Sequence, residues 1–340
     1  LLLNGAVIAL ASFIGFSVYQ GITAESYIGA DEIYYAYYMR HISGPFTQKS
    51  RAWLEEQGEE FGPMLETQQH IASGQTSPDT IVAYSSLQQK FSVYLKVIQQ
   101  NINSYLKEHP GAWLVYESGY KELFGFTGQV DVQDALLAGL ACAICFSGLF
   151  AMERRGGMET ILCVTPLGRK RTVRAKLAVS AGVAAAIAVS SCLPHLIQVL
   201  RDYGLPALLA PAMSISEFES LPSFVTLSDV LLFWLFCRVV ACFCMCTITL
   251  TLGRAFGNLL PALFVSAVGY CLPALLSLSG MEGGIEWLGF WPLFHAAALL
   301  TTQGYGGADG SPYNYGLATL FLLIVTLLST IILAIHLQDS

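Results

Sequence analysis

Arg238 is the residue whose chemistry most needs explaining. It lies about ten residues into the apolar stretch Ser228–Gly253, roughly 15 Å from its start at ~1.5 Å of helical rise per residue. At that depth in a bilayer a guanidinium costs at least ~2.5 kcal/mol, so it needs a partner or a wet cavity. Two roles fit: a residue of the translocation path or its gate, or an ion pair or carbonyl cap that fixes helix packing. No other arrangement of residues amounts to a reaction centre. The chain has no G-x-x-x-x-G-K-[ST] phosphate loop, no H-E-x-x-H and no G-x-S-x-G, and His41, His70, His109, His195, His295 and His336 are scattered. No catalytic site and no metal site is predicted. His195, beside Pro194, and His295 are read as hydrogen-bonded packing residues rather than proton carriers. Cys142-x-x-Cys145 and Cys242-x-Cys244-x-Cys246 sit in apolar helical stretches. There a spacing of two turns side chains to different faces, so the cysteines are read as small packing residues.

The elements that position Arg238 follow from composition. The chain is 340 residues long, 54% hydrophobic and 12% charged, with mean hydropathy +0.55. Soluble domains carry about 25% charged residues. Half that value, with repeated apolar runs near the length of a bilayer span, predicts an all-α integral membrane protein. Six spans are expected: Leu1–Tyr19 (a trimmed start, read as the end of a first span and not as a secretory signal), 134–152, 177–200, 228–253, 259–279 and 316–337. The stretch 281–310 is apolar but interrupted by Trp287, Trp291, Pro292 and His295, and is predicted as outer helices re-entering the membrane.

Between Gln20 and Gln133 lies a polar insert with 13 Asp+Glu against 7 Lys+Arg, large enough to fold as a domain. A second outer loop covers 201–227. In the insert, Tyr27, Tyr34, Tyr35, Tyr37 and Tyr38, and later Trp113, Tyr116 and Tyr120, are expected to anchor at the membrane surface. Lys49–Ala72 is predicted as a helix broken at Gly62-Pro63. Ser77-Pro78 opens a second helix, reaching about Lys107. Tyr84, Phe91, Ile98 and Tyr105 recur every seven residues, and Ile81, Leu95 and Ile102 hold a second register. That stripe predicts a helical hairpin between the two segments.

The opposite charge bias falls in 153–176. Arg154, Arg155, Arg169, Lys170, Arg171, Arg174 and Lys176 make up seven of the chain's 17 Lys+Arg. A short basic loop between spans marks the cytoplasmic side. Both termini are then cytoplasmic and the insert is extracytoplasmic. The expected location is a cell membrane, the plasma membrane of a bacterium.

Within this loop Glu153, Arg154, Gly157, Glu159, Ile161, Leu162, Thr165, Pro166, Leu167 and Arg169 form the pattern E-R-x-x-G-x-x-E-x-[IL]-L-x-x-[TS]-P-[LI]-x-R. The pattern resembles the loop between the second and third spans of ABC-2 type permeases, the transmembrane subunits of ABC exporters. The resemblance covers most of the membrane part and none of the insert. It implies that Met158–Val164 is a coupling helix seated in a cleft of an ABC ATPase subunit. Glu159 and Arg169 would make polar contacts there, with Pro166 and Gly168 setting the exit. ATP would be bound by that partner, and no cofactor by this chain. A second permease copy or a sibling permease would complete the path within membrane lipid; no nucleic acid is involved. The implied function is export of an amphipathic cargo such as a lipid, peptide or drug. The alternative is a membrane sensor or scaffold whose insert binds a ligand or partner.

Overall fold

The computed structural model describes residues 2–24, 30–59, 61, 78–98, 102, 105–126, 130–155, 168–205, 207–278 and 290–301. The expected sixth span 316–337 and the loop residues 156–167 lie outside them. Among the described residues the chain is helical, with no strand and only two isolated bridges, Gly44 with Leu114 and Pro211 with Thr226. The chain divides into two compact units. The first comprises Leu1–Ala24, Lys121–Gln198 and Leu231–Ser340; the second comprises Glu25–Tyr120 and Val199–Val230.

The first unit is built from long apolar helices: α1 (Leu2–Thr23), α6 (Val130–Arg155), most of α7 (Gly168–Asp202) and of α8 (Leu227–Phe256), and α9 (Leu259–Leu278). Among the described residues four stretches are long and apolar enough to cross a membrane: Asp131–Leu149, Leu177–Asp202, Leu227–Phe256 and Leu259–Leu276. Their outward faces carry Leu232, Phe236, Leu260, Phe264 and Leu272, all exposed. Large apolar side chains exposed on helices of this length suit lipid rather than water.

Small residues bring these helices together. Gly139 faces Tyr270 and Gly148 faces Leu259, and an added Cβ at either would meet its neighbour at 3.0 Å, so α6 and α9 lie in close contact. Gly253 of α8 approaches the Ser147 carbonyl of α6, where a Cβ would stand 3.1 Å away. Cys142 and Cys246 pack in the same α6–α8 seam with their sulfurs 3.7 Å apart. Tyr270 donates to the Met245 carbonyl (2.8 Å) and pairs with Thr249 Oγ1 (2.8 Å), so its hydroxyl is satisfied inside the bundle. Pro194 lies inside α7 as the sequence predicts. Gly21 of α1 sits against its carbonyl, where a Cβ would come within 2.8 Å. The turn between α8 and α9 is made by Gly257 at φ +63, whose N–H reaches the Gly253 carbonyl (3.2 Å).

The second unit contains α2 (Ala30–Ile42), α3 (Gln48–Glu59), α4 (Pro78–Lys96) and the start of α5 (Glu117–Leu123). Its core corrects the expectation for the tyrosines. Tyr35 and Tyr38 are buried beside Met39, Ile42, Leu54, Val93 and Val97, and Tyr116 and Tyr120 are buried too. Tyr35 and Tyr38 therefore belong to the face of α2 that α4 packs against, while Tyr37 of the same helix stays exposed and Tyr27 lies outside the described residues. The predicted seven-residue stripe is only half-buried at Phe91, Leu95, Ile98, Ile102 and Tyr105, whereas Val93 and Val97 are fully covered. The smaller valines let the backbones of α2 and α4 approach, giving a face of period 3.6 in a globular core rather than a coiled-coil seam. Within the described part of the Lys49–Ala72 segment the predicted contact also forms, through Phe61, just past α3, on Phe91 (5.1 Å between centroids) and Tyr94 donating to the Leu54 carbonyl of α3 (2.9 Å).

Nor is this unit one contiguous insert. Val199–Val230 folds with it: Tyr105 donates to the Met213 carbonyl (2.5 Å), the Trp113 N–H to Ser214 Oγ (2.9 Å), and the Ser216 hydroxyl to Glu117 (2.6 Å). Thr226 and Asp229 cap the start of α8 reciprocally, each backbone N–H reaching the other's side chain at 2.9 and 3.3 Å.

The buried phenols give a pH prediction. Burial pushes Tyr105, Tyr116 and Tyr120 above the ordinary tyrosine range, with Glu117, Glu219 and Glu217 adding at Tyr105 and Glu32 at Tyr116. A folded-state value above the unfolded one means stability that is present below about pH 10 and lost as pH rises through the folded value. Alkaline titration should show a late tyrosinate absorbance step coinciding with loss of helical circular dichroism. Tyr105→Phe and Tyr116→Phe should flatten that step; an unchanged step would show that these phenols do not limit the unit's alkaline stability.

Candidate functional site

Four side chains of the first unit meet at Arg238. On α6, Asp131 and Asp134 are three residues apart and so share one helix face. Arg238 projects from α8 and donates through Nη1 to Asp134 Oδ2 (2.5 Å) and through Nη2 to Asp131 Oδ1. His295 follows the short helix α10 (Trp291–Phe294) and places Nδ1 2.5 Å from Asp131 Oδ2. A carboxylate can only accept, so Nδ1 carries the hydrogen in that bond. Both oxygens of Asp131 are thereby occupied, one by the guanidinium and one by the imidazole.

The cluster is closed to water. Arg238 is 0%, His295 1%, Asp131 2% and Asp134 4% exposed. Trp234, one turn before Arg238, lies under the guanidinium with 3.7 Å between its ring centroid and Cζ, and Phe294 lies at 5.4 Å. Such stacking favours a cation over an aromatic face. Phe126 meets the His295 ring edge-on at 6.1 Å. From α7, His195 and Cys192 lie within electrostatic reach of the pair, and His195 Nε2 donates to the Glu122 carbonyl (2.8 Å). Arg238 Nε, also buried, has no hydrogen-bond partner among the described residues.

A local turn holds Asp131 in place. Gly125 stands at φ +74, with its Cα against the Asp131 carboxylate. The Phe126 N–H reaches back to the Lys121 carbonyl (2.9 Å), closing the end of α5 before α6 begins at Val130. Helix α6 therefore starts with two acids inside the fold, where the sequence puts Asp131 in the insert and Asp134 at a span boundary.

The predicted site residues are distributed as follows. Arg238 is at the centre of the cluster, in the paired arrangement that is one of the two roles its sequence context allows. His195 makes the hydrogen bond expected of it, whereas His295 has an ionic partner that the sequence did not reveal. Glu153 and Arg154 belong to the last turn of α6, and Arg169 to the first turn of α7. Gly157, Glu159, Ile161, Leu162, Thr165 and Pro166, with the expected coupling helix Met158–Val164, lie outside the described residues. Asp131 and Asp134 carry a sequence signal that is clear only afterwards: acids three apart at the mouth of an apolar run that also contains an arginine-bearing neighbour. No family model, no curated protein and no solved structure matches this chain.

Proposed function

We propose that this chain is the membrane-embedded permease subunit of an ATP-driven transporter of the ABC-2 type, exporting an amphipathic cargo while a separate subunit hydrolyses ATP. The observation that carries this reading is the position of the Glu153–Arg169 pattern. It begins in the last turn of one helix that can cross a membrane and ends in the first turn of the next. A six-span plan, a cytoplasmic 153–176 loop and an extracytoplasmic insert complete the proposal.

Helix α6 supplies a physical route from loop to bundle. It runs unbroken from Val130 to Arg155, a rod of roughly 39 Å at ~1.5 Å per residue. One end adjoins the coupling pattern and the other bears Asp131 and Asp134. Movement of the loop by a closing ATPase would be transmitted along α6 to its pairing with α8. Packed helices have discrete arrangements, so such a movement selects between two states rather than bending one.

Tagged full-length protein purified in mild detergent should bring down an ATPase bearing a G-x-x-x-x-G-K-[ST] loop. Replacing Met158–Val164 with a Gly/Ser stretch should abolish that association, and Glu159→Ala or Arg169→Glu should weaken it. Recovery of the chain alone, or only with extracytoplasmic partners, would transfer the assignment to the sensor or scaffold alternative.

A further inference from the structure

Among the described residues the charges of the buried cluster do not balance. Arg238 contributes one positive charge, Asp131 and Asp134 two negative ones, and all three are enclosed at 4% exposure or less. The remaining negative charge has no water to stabilise it, and an uncompensated buried ion is costly. The group positioned to cancel it is His295. Its Nδ1–H is already directed at Asp131 Oδ2, so one additional proton on the ring makes an imidazolium facing a carboxylate at 2.5 Å.

We propose that Asp131, Asp134, Arg238 and His295 together form a proton-binding site, which takes up one proton to become neutral and, on releasing it, loosens the 290–301 segment from α6. No covalent step is involved: the proton comes from solvent when the site is open and returns there. Asp131 is the shared acceptor. It holds Arg238 of α8 through one oxygen and His295 through the other, so losing the charge on His295 weakens the link to the 290–301 segment first. Among the described residues the titratable groups facing the cluster are Asp131 and Asp134 from α6, Arg238 and Cys242 from α8, His195 and Cys192 from α7, and His295 itself. His195 is committed through its Nε2 to the Glu122 carbonyl, and its variant serves as the control below. The proposal requires neither the transporter reading nor an ATPase.

The sign of the pH effect follows from linkage. A fold that binds a proton more tightly than the unfolded chain is most stable on the acid side of release and loses stability as pH rises through it. The test is the apparent Tm of the full chain in mild detergent from about pH 6 to about pH 9, spanning the ordinary histidine range. Wild type should lose roughly 2 °C per pH unit through the release. Asp131→Asn balances the site at one acid and one base, so it should melt nearly independently of pH over that range. His295→Gln, which donates but cannot charge, should be flat and should melt lower than wild type at about pH 6. His195→Gln should keep the wild-type slope. Equal slopes in wild type, Asp131→Asn and His295→Gln would overturn the proposal, and so would a slope abolished by His195→Gln alone. If Asp131→Asn fails to fold, imidazole 15N chemical shifts of wild type, assigned by comparison with His295→Gln, decide the matter. The His295 ring should pass from the doubly to the singly protonated form over the same pH interval in which Tm falls; a ring whose protonation does not change across that interval would refute the site.

Discussion

Arg238→Met is expected to destabilise the protein by about 3–5 kcal/mol, because it leaves Asp131 and Asp134 buried with no cation between them. The loss should exceed anything the missing contact area of one side chain would predict. Most of it would come from the two carboxylates, which can neither reach water nor repel one another less. Their spacing of three residues on α6 holds them on one face whatever happens on α8. Arg238→Lys should fall between the two, since a single ammonium cannot donate to both acids in the forked geometry of a guanidinium. The decisive comparison is the triple variant Arg238→Met, Asp131→Asn, Asp134→Asn. With all three charges removed it should recover at least half of the single variant's loss. Denaturant or thermal unfolding in detergent, followed by helical circular dichroism, gives the ordering. If the single variant is as stable as wild type, the pairing does not hold α6 to α8; if the triple is worse than the single, packing rather than charge is the cause.

Several parts of this arrangement were legible in the sequence, and the missing parts share a physical reason. Arg238 was conspicuous because a charge in the middle of an apolar stretch has no other reading than a partner or a cavity. The helices Leu177–Asp202, Leu227–Phe256 and Leu259–Leu276 follow from length and hydropathy alone. The partner acids were hidden because an Asp at the end of an apolar run is normally where water begins. Nothing local distinguishes Asp131 and Asp134 from a solvated helix start; only the chain returning at Arg238 and His295, more than a hundred residues later, encloses them. The same holds in the second unit. Tyr35, Tyr38 and Tyr116 have an apolar body and a polar tip, a combination equally suited to a membrane surface and to a core, and only the fold decides. The stripe through Phe91 and Ile98 announced that α4 needed a partner, but a periodicity names a face and not the helix that covers it. That Val199–Val230 joins this unit rests on side-chain bonds such as Trp113 to Ser214, which have no sequence periodicity at all.

Gly125→Ala should be the most damaging small substitution in the first unit, at about 3 kcal/mol. Two independent costs meet there. At φ +74 any L side chain is strained, worth roughly 1–2 kcal/mol. The added methyl would also collide with the Asp131 carboxylate, lying 2.8 Å from its Cγ and nearer still to Oδ2. The carboxylate is the part that must move, and it cannot do so without giving up Arg238 or His295. Gly204 is the natural control. It has nearly the same backbone, φ +72, but nothing within 4 Å of a Cβ, so Gly204→Ala should carry only the backbone cost of roughly 1–2 kcal/mol. A cycle with Asp131→Ala separates the two costs at Gly125. Once the carboxylate is gone, Gly125→Ala should cost little more than Gly204→Ala, giving a coupling of about 1 kcal/mol or more between sites in contact. Strict additivity in that cycle would mean that the turn and the ion pair are independent. Positive coupling would mean that this one glycine, in the turn before α6, holds the acid to which both Arg238 and His295 are bound.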